Sequence, residues 1–280
     1  MAHKITRFER FTVSAASGLW QGCRERQEDA AAIWHSSAPE AAQNILAVLA
    51  DGVGGLRDGN KASRILVSSY GKQYKTKKVV ELQKFLILAN ERLHQQKSSG
   101  AIAPDAESTL IALSITDEGI CWQSVGDSLL YRRRAKQLQR LNTAHTLGTE
   151  IDRKLKNHEI SWEAAAAQED NRDVLTSVVS GDIINEVEFR TEEVLLGDRY
   201  IIASDGLQPL IDHHWEPLLD ALENASATQT CDILIQELKA LNAPQQDNVA
   251  IIVIDITRPT PPISITKRFA KFLRLLFHKH

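Results

Sequence analysis

Six carboxylates stand at the borders of apolar, strand-like runs in this chain of 280 residues. Asp51 follows LAVLA and precedes Gly52, and Asp205 follows YIIAS and precedes Gly206. Asp127 closes CWQSVGD, Asp247 stands just before NVAIIVIDI, and the pair Glu28-Asp29 precedes AAAIW. Any one of these has a plain explanation, because Asp-Gly after a strand is an ordinary turn. The set is harder to explain that way. If the strand ends converge, like charges that close cannot all stay ionised without cations. A site built only from oxygen ligands selects hard ions, Mg²⁺ or Mn²⁺, over zinc. Gly52, Gly54, Gly55 and Gly59 then let the backbone approach those ions, so that a carbonyl such as that of Gly52 can act as a ligand. Nucleotide-binding glycine patterns do not fit: GVGGLR breaks GxGxxG at Arg57, and no GxxxxGK[ST] occurs.

The elements that must carry these residues can be read from hydrophobic patterning. Strands are expected at 11–17, 30–34, 45–50, 108–116, 119–125, 129–134, 199–204 and 248–256, with a hairpin turn at Asp117-Glu118-Gly119. Helical periodicity runs over about 62–74, 79–96, 215–222 and 228–241. Strands grouped with strands, and helices inserted in pairs, predict α+β layers rather than strict βαβ alternation. Residues 146–173 are polar and weakly patterned, and read as a loop or lid. RPTPP after Thr257 is an extended spacer, and ITKRFAKFLRLLFHKH reads as a short basic amphipathic helix.

Composition is that of a globular protein, and the charge balance excludes a nucleic-acid footprint: 33 basic against 36 acidic side chains. The basic residues are unevenly spread. Residues 258–280 hold six of them and no acid, which leaves a net charge of −9 on the rest. This tail is expected to pack on the domain, or to contact a partner or an anionic membrane surface. Cys23, Cys121 and Cys231 are odd in number and in no CxxC spacing, which argues against a disulfide framework. MAHKITRFERF has no apolar signal-peptide core, and no run approaches a membrane span. The expected location is the cytoplasm.

The order of motifs resembles the metal-dependent serine/threonine protein phosphatases of type 2C in their compact bacterial form. RERQED (24–29) is similar to the family's Arg-x-x-x-Glu-Asp, and ADGVGGLRDGNKAS to its Asp-Gly-x-Gly-Gly…Gly-x-x-Ala-Ser. ESTLIAL, SVGDSLLY, IIASDGL and QDNVAIIV match its remaining motifs in order. The resemblance covers roughly 10–256. It implies a four-layer αββα sandwich of two antiparallel sheets flanked by helix pairs, with a metal site at one end. The phosphatase domain would span 1–257, with a flap at about 146–173 and the tail at 258–280. By motif position Asp51 would bridge two Mg²⁺ or Mn²⁺ ions and Gly52 would lend its carbonyl. Asp205 and Asp247 would hold one ion, Glu28 and Asp29 the other, and Asp127 with Asp205 a third, weaker position. Arg24 would grip the substrate phosphate.

That assignment agrees with elementary chemistry. A phosphomonoester resists hydrolysis because its charge repels nucleophiles; two ions both activate a water and neutralise the phosphoryl oxygens. An arginine fork adds a bidentate clamp that lysine cannot copy. The expected substrate is a protein phosphorylated on serine or threonine, the expected counterpart a serine/threonine kinase, and the expected state a monomer. Four positions depart from the family pattern: Val53 for Met or His, Leu129 for Arg, Ala144 for an acid, and Ala250 for Thr. The loss at Val53 leaves the leaving group without its usual proton donor, and His145 is the candidate replacement. The rival from another class is a catalytically silent phosphatase-like module that binds a phosphoprotein or a regulatory partner. Retention of all six carboxylates speaks against it.

Overall fold

A computed structural model describes residues 2–8, 10–36, 44–53, 57–76, 80–212, 218 and 222–258. The basic tail beyond Arg258, and the helix expected over 215–222 apart from Leu218 and Leu222, lie outside the described residues.

Among the described residues, eleven strands form two antiparallel sheets. One contains β1 (Ala2–Arg7), β2 (Thr12–Trp20), β7 (Leu129–Arg134), β8 (Gln137–Arg140), β10 (Arg199–Ala203) and β11 (Val249–Thr257), in the order β1-β2-β11-β10-β7-β8. The other contains β3 (Ala30–His35), β4 (Ile45–Ala50), β5 (Leu110–Thr116), β6 (Gly119–Val125) and β9 (Glu188–Glu192), in the order β3-β4-β5-β6-β9. Helices α1 (Gly59–Thr76) and α2 (Leu82–Ser98) cover the second sheet, and α5 (Ala227–Leu241) covers the first. Helices α3 (Leu147–Lys156) and α4 (Trp162–Ala166) lie between β8 and β9 in the chain.

The strand β4 shows why the central runs are apolar throughout. Successive side chains on a strand point to opposite faces. Ile45, Ala47 and Leu49 enter the core between the sheets, beside Val13, Leu113 and Ile252. Leu46, Val48 and Ala50 face the other way, onto Leu66, Tyr70 and Phe85 of α1 and α2. Both faces are covered, so no position alternates to polar. In the first sheet Ala16, Ile201 and Val253 play the outward role against Cys231, Leu234 and Leu238 of α5. That helix is fixed at its start by a Ser226/Gln229 capping box and at its end by Asn242 in the left-handed region.

Three strands were not anticipated: β1, β8 and β9. Each is the edge of its sheet, pairing on one side only, and each is polar (AHKITR, QLQR, EFRTE). Edges tolerate and favour charge, which erases the apolar signal that marks a strand in sequence. The stretch 146–173 also holds more order than its patterning suggested. Thr146 caps α3 by accepting from the Thr149 N–H, and Ser161 caps α4 by accepting from Ala164. Arg132, Arg133 and Arg134 form no free basic patch; they pair with Glu192, Glu223 and Asp198 respectively.

At the end of the sandwich away from the carboxylates, Arg199 of β10 ties down the loop that precedes α5. Its Nε donates to Asp255 at 2.6 Å, Nη1 to the Leu222 carbonyl at 2.7 Å, and Nη2 to the Ala225 carbonyl. The side chains of Arg199 and Asp255 are only 9% and 13% exposed. Removing one partner of such a pair leaves an uncompensated buried charge. Arg199→Ala is therefore expected to cost about 3–5 kcal/mol in denaturant unfolding; a loss below about 1 kcal/mol would show that the pair behaves as a surface one.

Candidate metal centre

Sheet register brings the six carboxylates together. Ala30 pairs with Ala50, Leu110 with Val125, Ala203 with both Leu129 and Ile251, and Val249 with Trp20. All these pairs lie at one end of the sandwich. Glu28-Asp29, Asp51, Asp127, Asp205 and Asp247 are the residues that leave or enter the strands there. The side chain of Asp51 lies among those of Asp29, Asp205 and Asp127 and feels the charge of all three.

Burial and mutual repulsion push these groups away from the ionised state. Burial raises Asp29 to about 6 and Asp205 to about 7, with repulsion from neighbouring aspartates adding to both. Asp51 is driven well above the usual carboxylate range, first by burial and then by Asp29 and Asp205. Asp127 and Glu28 are raised too, mainly by burial. Arg24, half-exposed at the rim, offers the compensating charge: its Nη2 donates to Asp247 Oδ2 at 2.5 Å. Arg24 also lies close enough to lower Glu28.

The donor set fits a hard divalent cation. Asp29 is 3% exposed, Ser204 Oγ donates to its Oδ2 at 2.8 Å, and its Oδ1 is buried with no hydrogen-bond partner. A buried carboxylate oxygen with no hydrogen-bond donor inside an acidic cluster is a donor atom suited to a cation. Among the described residues, no three His, Cys, Asp or Glu side chains already stand in ligand arrangement about one point. Asp247 is held by Arg24. A cation held here would compensate the crowded negative charge and would compete with Arg24 for Asp247.

The backbone around Asp51 is fixed from several directions. Its carbonyl accepts from Ser108 Oγ and from the Thr109 N–H, both at 2.8 Å, and its own N–H donates to Thr109 Oγ1 at 3.2 Å. Thr109 Oγ1 in turn meets Ser128 Oγ at 2.8 Å, tying Asp51 to the Asp127 turn. The next residue must be glycine. Its N–H donates to the Glu28 carbonyl at 3.2 Å, and a Cβ on Gly52 would lie 2.4 Å from the Gly59 carbonyl at the start of α1. On the other flank Asn248 Oδ1 accepts from the Glu28 N–H at 2.7 Å, while Asn248 Nδ2 donates to the Gln21 carbonyl at 2.7 Å.

These partners (Ser108, Thr109, Ser128, Ser204, Asn248) were not singled out as site residues. All five are buried. Ser128, Ser204 and Asn248 each adjoin a chosen carboxylate in sequence, a signal that could have found them, whereas Ser108 and Thr109 reach Asp51 only through the fold. A cleft of about 790 Å³ opens beside the cluster, lined by Asp127, Asp205 and Asp247 together with Arg140, Arg172 and Asp173. Arg140 donates to the Asp127 carbonyl at 2.9 Å, and the charge of Asp173 helps to raise Asp127. Neither was expected from sequence.

His145 is buried rather than solvated. It is 2% exposed, its Nδ1 accepts from the Gly126 N–H at 3.1 Å, and its Nε2 lies 4.0 Å from Glu186 Oε1. Burial lowers its pKa, and the tautomer with its proton on Nε2 serves the Gly126 bond. In this position the ring buttresses the Gly126-Asp127 turn.

This fold and acidic end define a class, and comparison with known proteins agrees. The protein phosphatase 2C family matches residues 24–243, so the chain belongs to that family. The chain is similar to protein phosphatase PhpP of Streptococcus pneumoniae, with 28% identity over 177 residues, 61% of this chain and 70% of that protein. It also matches the serine/threonine protein phosphatase PstP of Mycobacterium tuberculosis at 26% identity over 221 residues, 75% of this chain but only 40% of PstP. In fold it resembles the crystal structure of M. tuberculosis PstP/Ppp, with a TM-score of 0.71 at 24% identity, covering 88% of this chain and 99% of that one. The PstP catalytic domain in complex with two manganese ions aligns with a TM-score of 0.67 at 22% identity, covering 88% and 98%.

The raised carboxylates have a sign that can be checked. In the metal-free protein they bind more protons folded than unfolded, so their contribution to stability is present near pH 4 and lost as pH rises through about 6 to 7. Metal-free wild type is expected to melt lower at pH 8 than at pH 5, with a smaller difference in Asp205→Asn. Mn²⁺ is expected to raise the wild-type melting temperature more at pH 8 than at pH 5. Identical pH slopes in the two proteins would contradict the charge-crowding account.

Proposed function

We propose that this chain hydrolyses phosphoserine and phosphothreonine on proteins in a Mg²⁺- or Mn²⁺-dependent reaction, reversing the work of a serine/threonine kinase. The observation that carries the reading is the convergence of six carboxylates at one end of two packed sheets, with Arg24 at the rim. Asp51, at the centre of the cluster, would be shared between two ions, with the Gly52 carbonyl beside it. Asp205 and Asp247 would hold one ion, and Glu28 and Asp29 the other. Asp127 and Asp205, with Asp173 across the cleft, would hold a third, weaker one. When bound, the ions supply a nucleophilic water at neutral pH and neutralise the phosphoryl oxygens.

The remaining roles belong to the chain itself. Ser204 holds Asp29, and Ser108 and Thr109 hold Asp51, so the ligands are placed before a cation arrives. Arg24 is half-exposed and free to turn from Asp247 to a phosphate, which it can grip with two parallel N–H donors. Val53 has no proton to give and His145 is buried, so water protonates the leaving oxygen. A silent binding module would have no use for this many raised, mutually repelling acids.

The test is hydrolysis of a phosphothreonine peptide with Mn²⁺. Asp51→Asn is expected to abolish turnover in Mn²⁺, as chelator does in wild type. Arg24→Lys is expected to lower kcat/KM by about 10²-fold, the scale of losing one aligned donor to a charged transition state. No turnover by folded wild type across a metal titration would overturn the enzymatic reading in favour of the binding module.

A further inference from the structure

Trp162 is the first residue of the short helix α4, and it is 78% exposed. Trp122 is buried, and Trp20 and Trp34 are half-buried, so this exposure is not the habit of the chain's described tryptophans. Isolated exposed leucines need no explanation, but a solvated indole beside a groove does, because tryptophan is the side chain that most often anchors a protein contact. Beside Trp162 lies a groove of about 620 Å³ with an apolar wall of Leu155, Ile160 and Trp162 and a polar rim that includes Asp152, Lys156 and Glu163.

The groove is joined to the catalytic cleft. Asp152 lines both, and Arg172, which lines the cleft, donates to Asp152 Oδ2 at 2.6 Å. This ion pair is the sill between the two spaces. The groove is also held in place relative to the cleft. The Leu147 N–H donates to the Val174 carbonyl at 2.9 Å and the Gly148 N–H to the Arg172 carbonyl at 2.8 Å, so α3 is fastened to the turn that carries Arg172 and Asp173.

We propose that the Trp162 groove docks an apolar side chain of the phosphoprotein substrate, on one flank of the phosphorylated residue, and so sets sequence preference. This rests on the phosphatase reading above. A phosphoresidue seated in the cleft commits its flanking chain to the surface around it, at roughly 3.3 Å per extended residue. The polypeptide that crosses the Arg172–Asp152 sill meets an aromatic wall with Leu155 and Ile160 alongside. An aliphatic or aromatic side chain matches that lining, and the charged rim of Lys156 and Asp152 keeps the empty groove solvated.

The experiment walks a single leucine through a polyserine phosphothreonine peptide and compares kcat/KM at each position. In wild type, leucine at one or two adjacent positions is expected to raise kcat/KM by about ten-fold, through KM, the scale of burying one aliphatic side chain. In Trp162→Ser that preference is expected to fall to about one, and in Trp162→Phe to survive. p-Nitrophenyl phosphate, too small to reach the groove, reports the metal centre alone. Wild type that hydrolyses it but ignores leucine at every position overturns the groove and leaves the phosphatase reading standing. Loss of p-nitrophenyl phosphate hydrolysis in folded Trp162→Ser would mark the indole as structural support and also overturn the proposal. If wild type hydrolyses nothing, the phosphatase reading fails by itself. Anisotropy of labelled leucine and serine peptides then decides the groove, with equal affinities counting against it.

Discussion

Negative charge concentrated where water is scarce is the constraint on which this structure turns. Asp29, Asp51, Asp127, Asp205 and Asp247 face one another at the end of the sandwich, and burial with mutual repulsion drives Asp29, Asp51 and Asp205 toward their protonated forms. Left alone, such a cluster is a cost to folding, since burial and repulsion act in the same direction. A protein keeps it only if something of opposite charge repeatedly enters. The same crowding that destabilises the metal-free state is what gives the site affinity for a divalent cation.

The rest of the fold supplies the rigidity that holds those acids in place. Every ligand candidate sits within a residue or two of a strand end, and the strands behind them are covered on both faces by apolar layers. Buried hydroxyls and one amide complete the frame. Ser204 reaches back to Asp29 across 175 positions, and Asn248 to the Glu28 backbone across 220. Arg24 is exposed at the rim and paired with Asp247. The site thus sets buried anions beside one exposed cation.

Much of this was legible in the sequence because two signals coincide. The central strands are apolar on both faces, and the acids stand at their ends, so Asp51 after LAVLA and Asp205 after YIIAS could be found from local pattern. The edge strands β1, β8 and β9 could not, since solvent on one side lets AHKITR, QLQR and EFRTE be polar. The helices α3 and α4 were obscure because most of their residues face water, and only Gly148, Ile151 and Ala165 are buried. His145 misled for a related reason: a histidine in a polar stretch reads as solvated, whereas its bond to the Gly126 N–H is made by tertiary packing. Arg140 and Asp173 entered the cleft from segments with no motif of their own.

The central claim is that the acidic end of the sandwich is a site for more than one divalent cation, with its excess charge held as bound protons until the ions arrive. Calorimetric titration of Mn²⁺ into metal-free protein at pH 7, repeated in buffers of different ionisation enthalpy, measures ion stoichiometry and proton release together. At least two ions per chain with net proton release is the predicted result. Folded protein that binds no Mn²⁺, or binds it without releasing protons, would contradict the account.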